Sequence, residues 1–178
     1  EAPPTLQWMQ ERVKDTVLVW YRNTGQPTDW QIRAGRDTVR VKPTDPLPAR
    51  SVRFAEDPPP SASSGKFNRG KPADPVAPAV QAPPKIVPQL PSKPALLDFA
   101  TPVVSWDTSR WVILKDSVPT RAFQVFRDSL SPRRLHIAHS WKGEGNAVLY
   151  LLPKALTDFY GDSNADTLQR IFSLPPLK

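Results

Sequence analysis

The chain has 178 residues, 23 of them proline, no cysteine and a formal net charge of +7. The missing cysteines exclude disulfides and thiolate metal sites. The longest apolar run, Ala147 to Leu152, is far short of the roughly 20 residues that a membrane-crossing helix requires.

Composition divides the chain in three: 15 of the 23 prolines fall between Pro43 and Pro102, and all 6 tryptophans lie outside that window. We read residues 1–42 as a Trp-rich N-terminal arm, 43–102 as a Pro-rich extended strap or linker, and 103–178 as a small α+β domain. Each end is too short to bury a secure core alone, so the ends are expected to pack on each other or on another protein. The positive excess is spread thinly over the three parts, with Arg133-Arg134 the densest basic spot.

In the arm, Leu6, Met9, Val13, Val17 and Trp20 fall at helical spacing. Thr5 can cap the start and Gly25 can end the run. A helix is the preferred reading, with VLVWY as a strand its rival. DWQIRAGRDTVRVKP reads as a hairpin turning at Gly35. Three tryptophans, Trp8, Trp20 and Trp30, are more than so small an arm covers by itself, so they become candidate partner contacts.

In the middle segment, SSGKFNRGKP is flexible in composition, and the chain from Pro72 onward favours extended polyproline II. KIVPQLP and PQLPSKP share Pro88 and Pro91 in PxxP spacing, flanked by Lys85 or Lys93. Such spacing arises readily by chance where proline is dense. SH3-type docking is therefore set aside, while Pro88 and Pro91 remain candidate contacts of a strap lying on neighbouring subunits.

In the C-terminal region, PVVSW and RWVILK read as strands and VPTRAFQVFRDSLS as a helix with Ala122, Val125, Phe126 and Leu130 on one face. RRLHIAHSW and AVLYLLP, joined by KGEGN, read as a hairpin, and KALTDFYG and ADTLQRIFSL as short helices. The expected fold class is α+β: short helices and β-hairpins, an N-terminal helix-plus-hairpin arm, and a long extended Pro-rich segment between them.

No catalytic, metal or cofactor-binding residue is assigned. His136 and His139 stand three apart on a strand and face opposite sides, so they cannot share a metal. Ser140 has no nucleophile elbow around it. Asp158, Asp162 and Asp166 are spaced by four, but Gly161 interrupts any helix that would align them. KGEGN matches no phosphate-binding pattern and reads as a turn. Arg133, Arg134 and Lys142, with a surface Trp141, are the candidate nucleic-acid contacts, since cations beside a stacking face suit single-stranded RNA. Trp141 is equally a candidate protein contact.

The leading expectation is a non-enzymatic accessory or structural subunit that contacts several proteins of one large assembly. A start at Glu1 and a basic composition favour a mitochondrial complex, with an organellar ribosome or a virus shell as other settings. The alternative is an RNA-binding component such as a ribosomal protein.

Overall fold

The structure is a computed structural model that describes residues 6–14, 16–23, 30–34, 37–41, 52–56 and 84–176. It is built from strands, and the only helical turn among the described residues is a 3-10 turn at Thr108–Arg110. In chain order the strands are β1 (Leu6–Val13), β2 (Thr16–Asn23), β3 (Trp30–Ala34), β4 (Asp37–Val41), β5 (Ile86–Pro88), β6 (Ala95–Asp98) and β7 (Val103–Trp106). There follow β8 (Trp111–Lys115), β9 (Val118–Thr120), β10 (Phe123–Arg127), β11 (Arg134–His139), β12 (Gly145–Leu151), β13 (Leu156–Asp158) and β14 (Leu168–Leu174).

Two sheets carry the core: one ordered β10-β11-β6 and one ordered β5-β14-β12-β8-β9. Burial alternates along their strands, as a sheet with one packed face requires. Leu135 and Ile137 of β11 point inward with Ala95 and Leu97 of β6, and they meet Trp111 and Ile113 of β8, Leu149 and Leu151 of β12, and Phe172 of β14 in one apolar cluster. The short pair β7–β13 adds Val103 and Leu156 to it.

The α+β expectation is corrected at four segments. The arm forms an antiparallel hairpin, β1–β2, in which Met9 stands opposite Trp20, rather than a helix. VPTRAFQVFRDSLS forms β9 and β10 because Phe123 and Val125 face the core at period two, and Pro119 is tolerated since β9 is an edge strand with its missing N–H outside the ladder. ADTLQRIFSL becomes β14, with Arg170, Phe172 and Leu174 buried in alternation, and KALTDFYG becomes β13 plus a turn organised by Asp158.

RRLHIAHSW and AVLYLLP are strands as expected, but they do not pair with each other. β11 lies between β10 and β6, whereas β12 lies between β14 and β8, so KGEGN carries the chain from one sheet to the other. Gly143 there has φ +81°, and a Cβ at this position would stand 2.8 Å from Lys115 Nζ. PVVSW and RWVILK likewise enter different ladders, β7 with β13 and β8 with β12 and β9. The expected hairpin at DWQIRAGRDTVRVKP is present as β3–β4, with Trp30 opposite Val41; its turn lies outside the described residues.

Both ends of the Pro-rich segment are built into the core. Val52 and Phe54 are buried, Phe54 stacks on Phe99 at 5.3 Å, and the backbone of Ala55 and Ala100 bonds the 52–56 stretch alongside β6. β5 pairs in parallel with β14, Ile86 opposite Ile171. Residues 57–83, where SSGKFNRGKP and the first part of the polyproline reading fall, lie outside the described residues, and beyond them that reading is corrected at β5 and β6, which enter sheet ladders with β14 and β11.

Candidate interaction surface

The hairpin β1–β2 is a sheet of two strands only, and such a ribbon is marginal in water unless it packs on something. Its turn is made tight by Lys14, held at φ 54°. Register decides its faces: Met9, Glu11, Leu18, Trp20 and Arg22 share one side, and Trp8, Gln10, Val17, Val19 and Tyr21 share the other.

The first side is fastened to the sandwich. Glu11 is buried, and Arg133, in the turn between β10 and β11, donates from Nε to its carboxylate at 2.6 Å. The same guanidinium lies over the Trp20 ring at 5.3 Å, and Arg22 lies over Phe159 at 5.3 Å. Burial pushes the Glu11 carboxyl up, but the Arg133 bond and charge outweigh it and hold the group below the usual carboxylate range. A long-range ion pair thus supplies the packing that the ribbon lacks by itself.

The second side faces away from that attachment. Trp8 is 51 % exposed and stands directly opposite the half-buried Tyr21, beside the exposed Val17 and half-buried Val19. Opposed aromatic and β-branched side chains support each other across a ladder. They also form a preordered apolar strip flanked by the exposed Gln10 and Arg12, a composition typical of protein contact surfaces.

The structure separates the other candidate residues. Trp20 faces the sandwich rather than solvent. Trp30 lies in β3, and its side chain is outside the described residues. Pro88 is exposed on the edge strand β5, and Pro91 is exposed beyond it. Trp141, expected on the surface, is 1 % exposed and packs against Phe172 and His139. Arg134 is engaged by Asp98 at 2.7 Å and Arg133 by Glu11, leaving Lys142 the exposed member of that cationic trio. The expected stacking platform is not assembled, because its aromatic belongs to the core and both its arginines hold carboxylates.

The histidines face opposite sides of β11. His136 donates from Nε2 to Asp128 at 2.7 Å and stacks on Phe126, while His139 donates from Nδ1 to the Ala122 carbonyl. His139 and Ser140 border a shallow depression of about 570 Å³ with Arg121, Gln124 and Ala138. No group of three His, Cys, Asp or Glu side chains suited to a metal occurs among the described residues. Asp158 is a loop organiser, accepting from Tyr160 N, Asp162 N and Thr101 Oγ1. No helix among the described residues is long and apolar enough to cross a membrane.

Sequence reasoning missed Glu11, Arg22 and Tyr21. Period-two alternation through VLVWY was the available signal for Tyr21, since a strand there puts Val17, Val19 and Tyr21 on one side. Nothing local marks Glu11, whose partner is 122 residues away. Comparisons with known protein families, curated proteins and solved structures return no match for this chain.

Proposed function

We propose that the protein is a non-enzymatic structural subunit that attaches to a neighbouring protein of a larger assembly through the outward side of the β1–β2 hairpin. The observation that carries this reading is the pairing of Trp8 with Tyr21 on a ribbon whose opposite side is clamped by Glu11 and Arg133. A clamped ribbon presents its aromatic strip with little ordering cost on binding, and aromatic side chains give large contact area for few rotatable bonds. The matching surface is an apolar patch with a carboxylate placed to meet Arg12. The mitochondrial setting is part of this proposal and rests on the basic composition alone.

The test is a photo-activatable cross-linker placed at position 8 in the full chain, expressed in its native cell. Adducts with one or two defined proteins, reduced by Tyr21→Ala, are the expected result. Adducts with RNA instead, or none beyond those of a cross-linker at Leu130, overturn it, and cell fractionation of the same material checks the compartment.

A further inference from the structure

Each of the two core sheets ends in two edge strands, and the outermost backbone groups of an edge either find a partner or stay open to another chain. Three of these four edges are closed. Beyond β6, Ala55 donates to the Asp98 carbonyl at 2.9 Å and Ala100 to the Arg53 carbonyl at 3.0 Å, so the 52–56 stretch takes up that edge. On either side of β5, the Lys85 carbonyl accepts from Ile171 and the Gln89 N–H donates to Ser173, and strand alternation therefore turns Pro88, which has no N–H, outward. At β9, Pro119 stands opposite Leu114, whose own backbone bonds are directed to β12 because Leu152 donates to the Arg110 carbonyl two turns of the alternation earlier. Pro119 thus removes the outward donor at the centre of that edge too.

β10 is the edge left open. Asp128 donates to the Arg134 carbonyl at 3.1 Å, while the Phe123 N–H turns back to the Arg121 carbonyl at 3.0 Å. Bonded and non-bonded pairs alternate along an antiparallel ladder, so Gln124 and Phe126 bond β11, and Val125 and Arg127 direct their N–H and C=O groups outward. No hydrogen bond among the described residues reaches those four groups. Neither does β10 contain a proline.

The uncompensated charge along this edge has one sign. Arg121, before the strand, is exposed and has no partner among the described residues. Arg127, at its end, donates only to the neutral carbonyls of Val103 at 2.8 Å and Val104 at 3.0 Å and lies over the Trp106 ring, so its charge meets no carboxylate. The adjacent Asp128 is taken by His136 and by the N–H groups of Leu130 and Ser131. The hollow bordered by Arg121, Gln124, His139 and Ser140 lies at the Arg121 end of the strand.

We propose that the outer edge of β10 receives an extended, acidic segment of another protein as an added strand. Unpaired N–H and C=O groups at strand spacing are complementary to a second extended backbone, whose main-chain bonds supply affinity while flanking side chains set the sequence. Arg121 and Arg127 favour carboxylates at the two ends of that segment. A second copy of β10 would bring its own arginines instead, and the chain's own Pro-rich stretch lacks a donor wherever a proline falls. None of these residues belongs to the hairpin strip, so the test does not depend on the hairpin's partner.

The experiment selects a phage-displayed library of random heptapeptides on the purified full chain, then follows amide hydrogen exchange of the chain with a selected peptide bound. The expected result is enrichment of acidic, proline-free sequences that slow exchange at Val125 and Arg127. Val125→Pro should abolish their binding, and Arg121→Glu should weaken it about five-fold, as expected for one exposed charge contact. Val125→Pro removes an N–H that no ladder uses, as Pro119 does in β9; should it fail to fold, Arg121→Glu, at an exposed position, decides. Three results overturn the proposal: selection of basic sequences or of none, binding indifferent to the folded variants, or Val125 and Arg127 amides already protected in the free chain. The last would mark an edge filled by the chain itself or by a second copy.

Discussion

Glu11 and Arg133 stand 122 residues apart in the sequence and 2.6 Å apart in the fold. Theirs is the ion pair that holds the N-terminal ribbon against the sandwich. Because Glu11 is buried, its carboxylate has exchanged water chiefly for the Arg133 guanidinium, with Ser131 and the Arg134 charge in support. Removing either partner leaves the other poorly compensated, and such losses exceed the net worth of the pair.

Glu11→Ala is expected to destabilise the chain by about 1–3 kcal/mol and to make the β1–β2 hairpin sensitive to protease at lower denaturant than the sandwich. Thermal melts and limited proteolysis of Glu11→Ala, Arg133→Ala and the double variant check this. A strongly non-additive cycle is expected, and additive losses would show that the pair is not the fastening.

Stability should fall in acid, for a reason that can be assigned to residues. Glu11 and Glu56 are pushed up by burial but held low on balance, by Arg133 and by Arg170 with Lys85 respectively, and Asp128 is lowered first by its bond from His136. A carboxyl whose folded pKa lies below its unfolded value stabilises the fold above the unfolded value, near 4, and that contribution disappears as pH falls through the folded value. Urea midpoints measured from pH 7 downward should hold level and then drop below about pH 4.5. Glu11→Gln should start lower and fall less.

Trp141 offers a direct check on core against surface. Trp141→Ala is expected to cost about 3–5 kcal/mol, the range for emptying a large aromatic site. Trp141→Phe should cost far less, because the indole N–H it removes has no hydrogen-bond partner among the described residues. Denaturant unfolding of both variants checks this, and a silent Trp141→Ala would return the residue to the surface.

Arg170 is 3 % exposed, lies 4.0 Å from the centre of the Phe54 ring and bonds Glu56 at 2.8 Å. Arg170→Ala is expected to cost about 2–4 kcal/mol through lost packing and lost pairing. Arg170→Met, which refills the volume, should recover the packing part of the loss but not the part due to the broken Glu56 bond, which Lys85 at 3.2 Å only partly replaces. Comparing the two thermal midpoints separates packing from charge.

Trp8 and Trp20 should part ways in the same assay. Trp8→Ala is expected to change stability by less than about 0.5 kcal/mol, as for most surface positions, and to abolish partner cross-linking. Trp20→Ala removes the ring beneath Arg133 and should loosen the hairpin. Equal effects on stability would mean that the two sides of the ribbon are wrongly assigned.

Several features were legible from residues alone. Strand segments such as RWVILK, RLHIAH and the WQIRA–DTVRV pair carry β-branched and aromatic side chains at strand length, and all form strands. The helix readings failed where apolar residues at spacing three or four also satisfy period two once a turn intervenes. Met9, Val13 and Trp20 lie on one side of the hairpin only because Lys14 makes a tight turn without Gly or Asn.

The sequence by itself determined the absence of disulfides, the lengths and apolar character of the strands, and the placing of tryptophans outside the Pro-rich window. Tertiary structure alone decided which strand lies beside which, and therefore what each charged or aromatic residue touches. Strand pairing is a non-local choice: β11 and β12 are neighbours along the chain, yet each satisfies its backbone with strands from elsewhere and they end in different sheets. Burial of Arg170 depends on Phe54 and Glu56 arriving from the N-terminal part of the Pro-rich segment, and burial of Glu11 on Arg133. Local composition can set how much apolar surface a segment must hide, but the neighbour that hides it, and the charge that compensates a buried ion, are fixed only when distant parts of the chain meet.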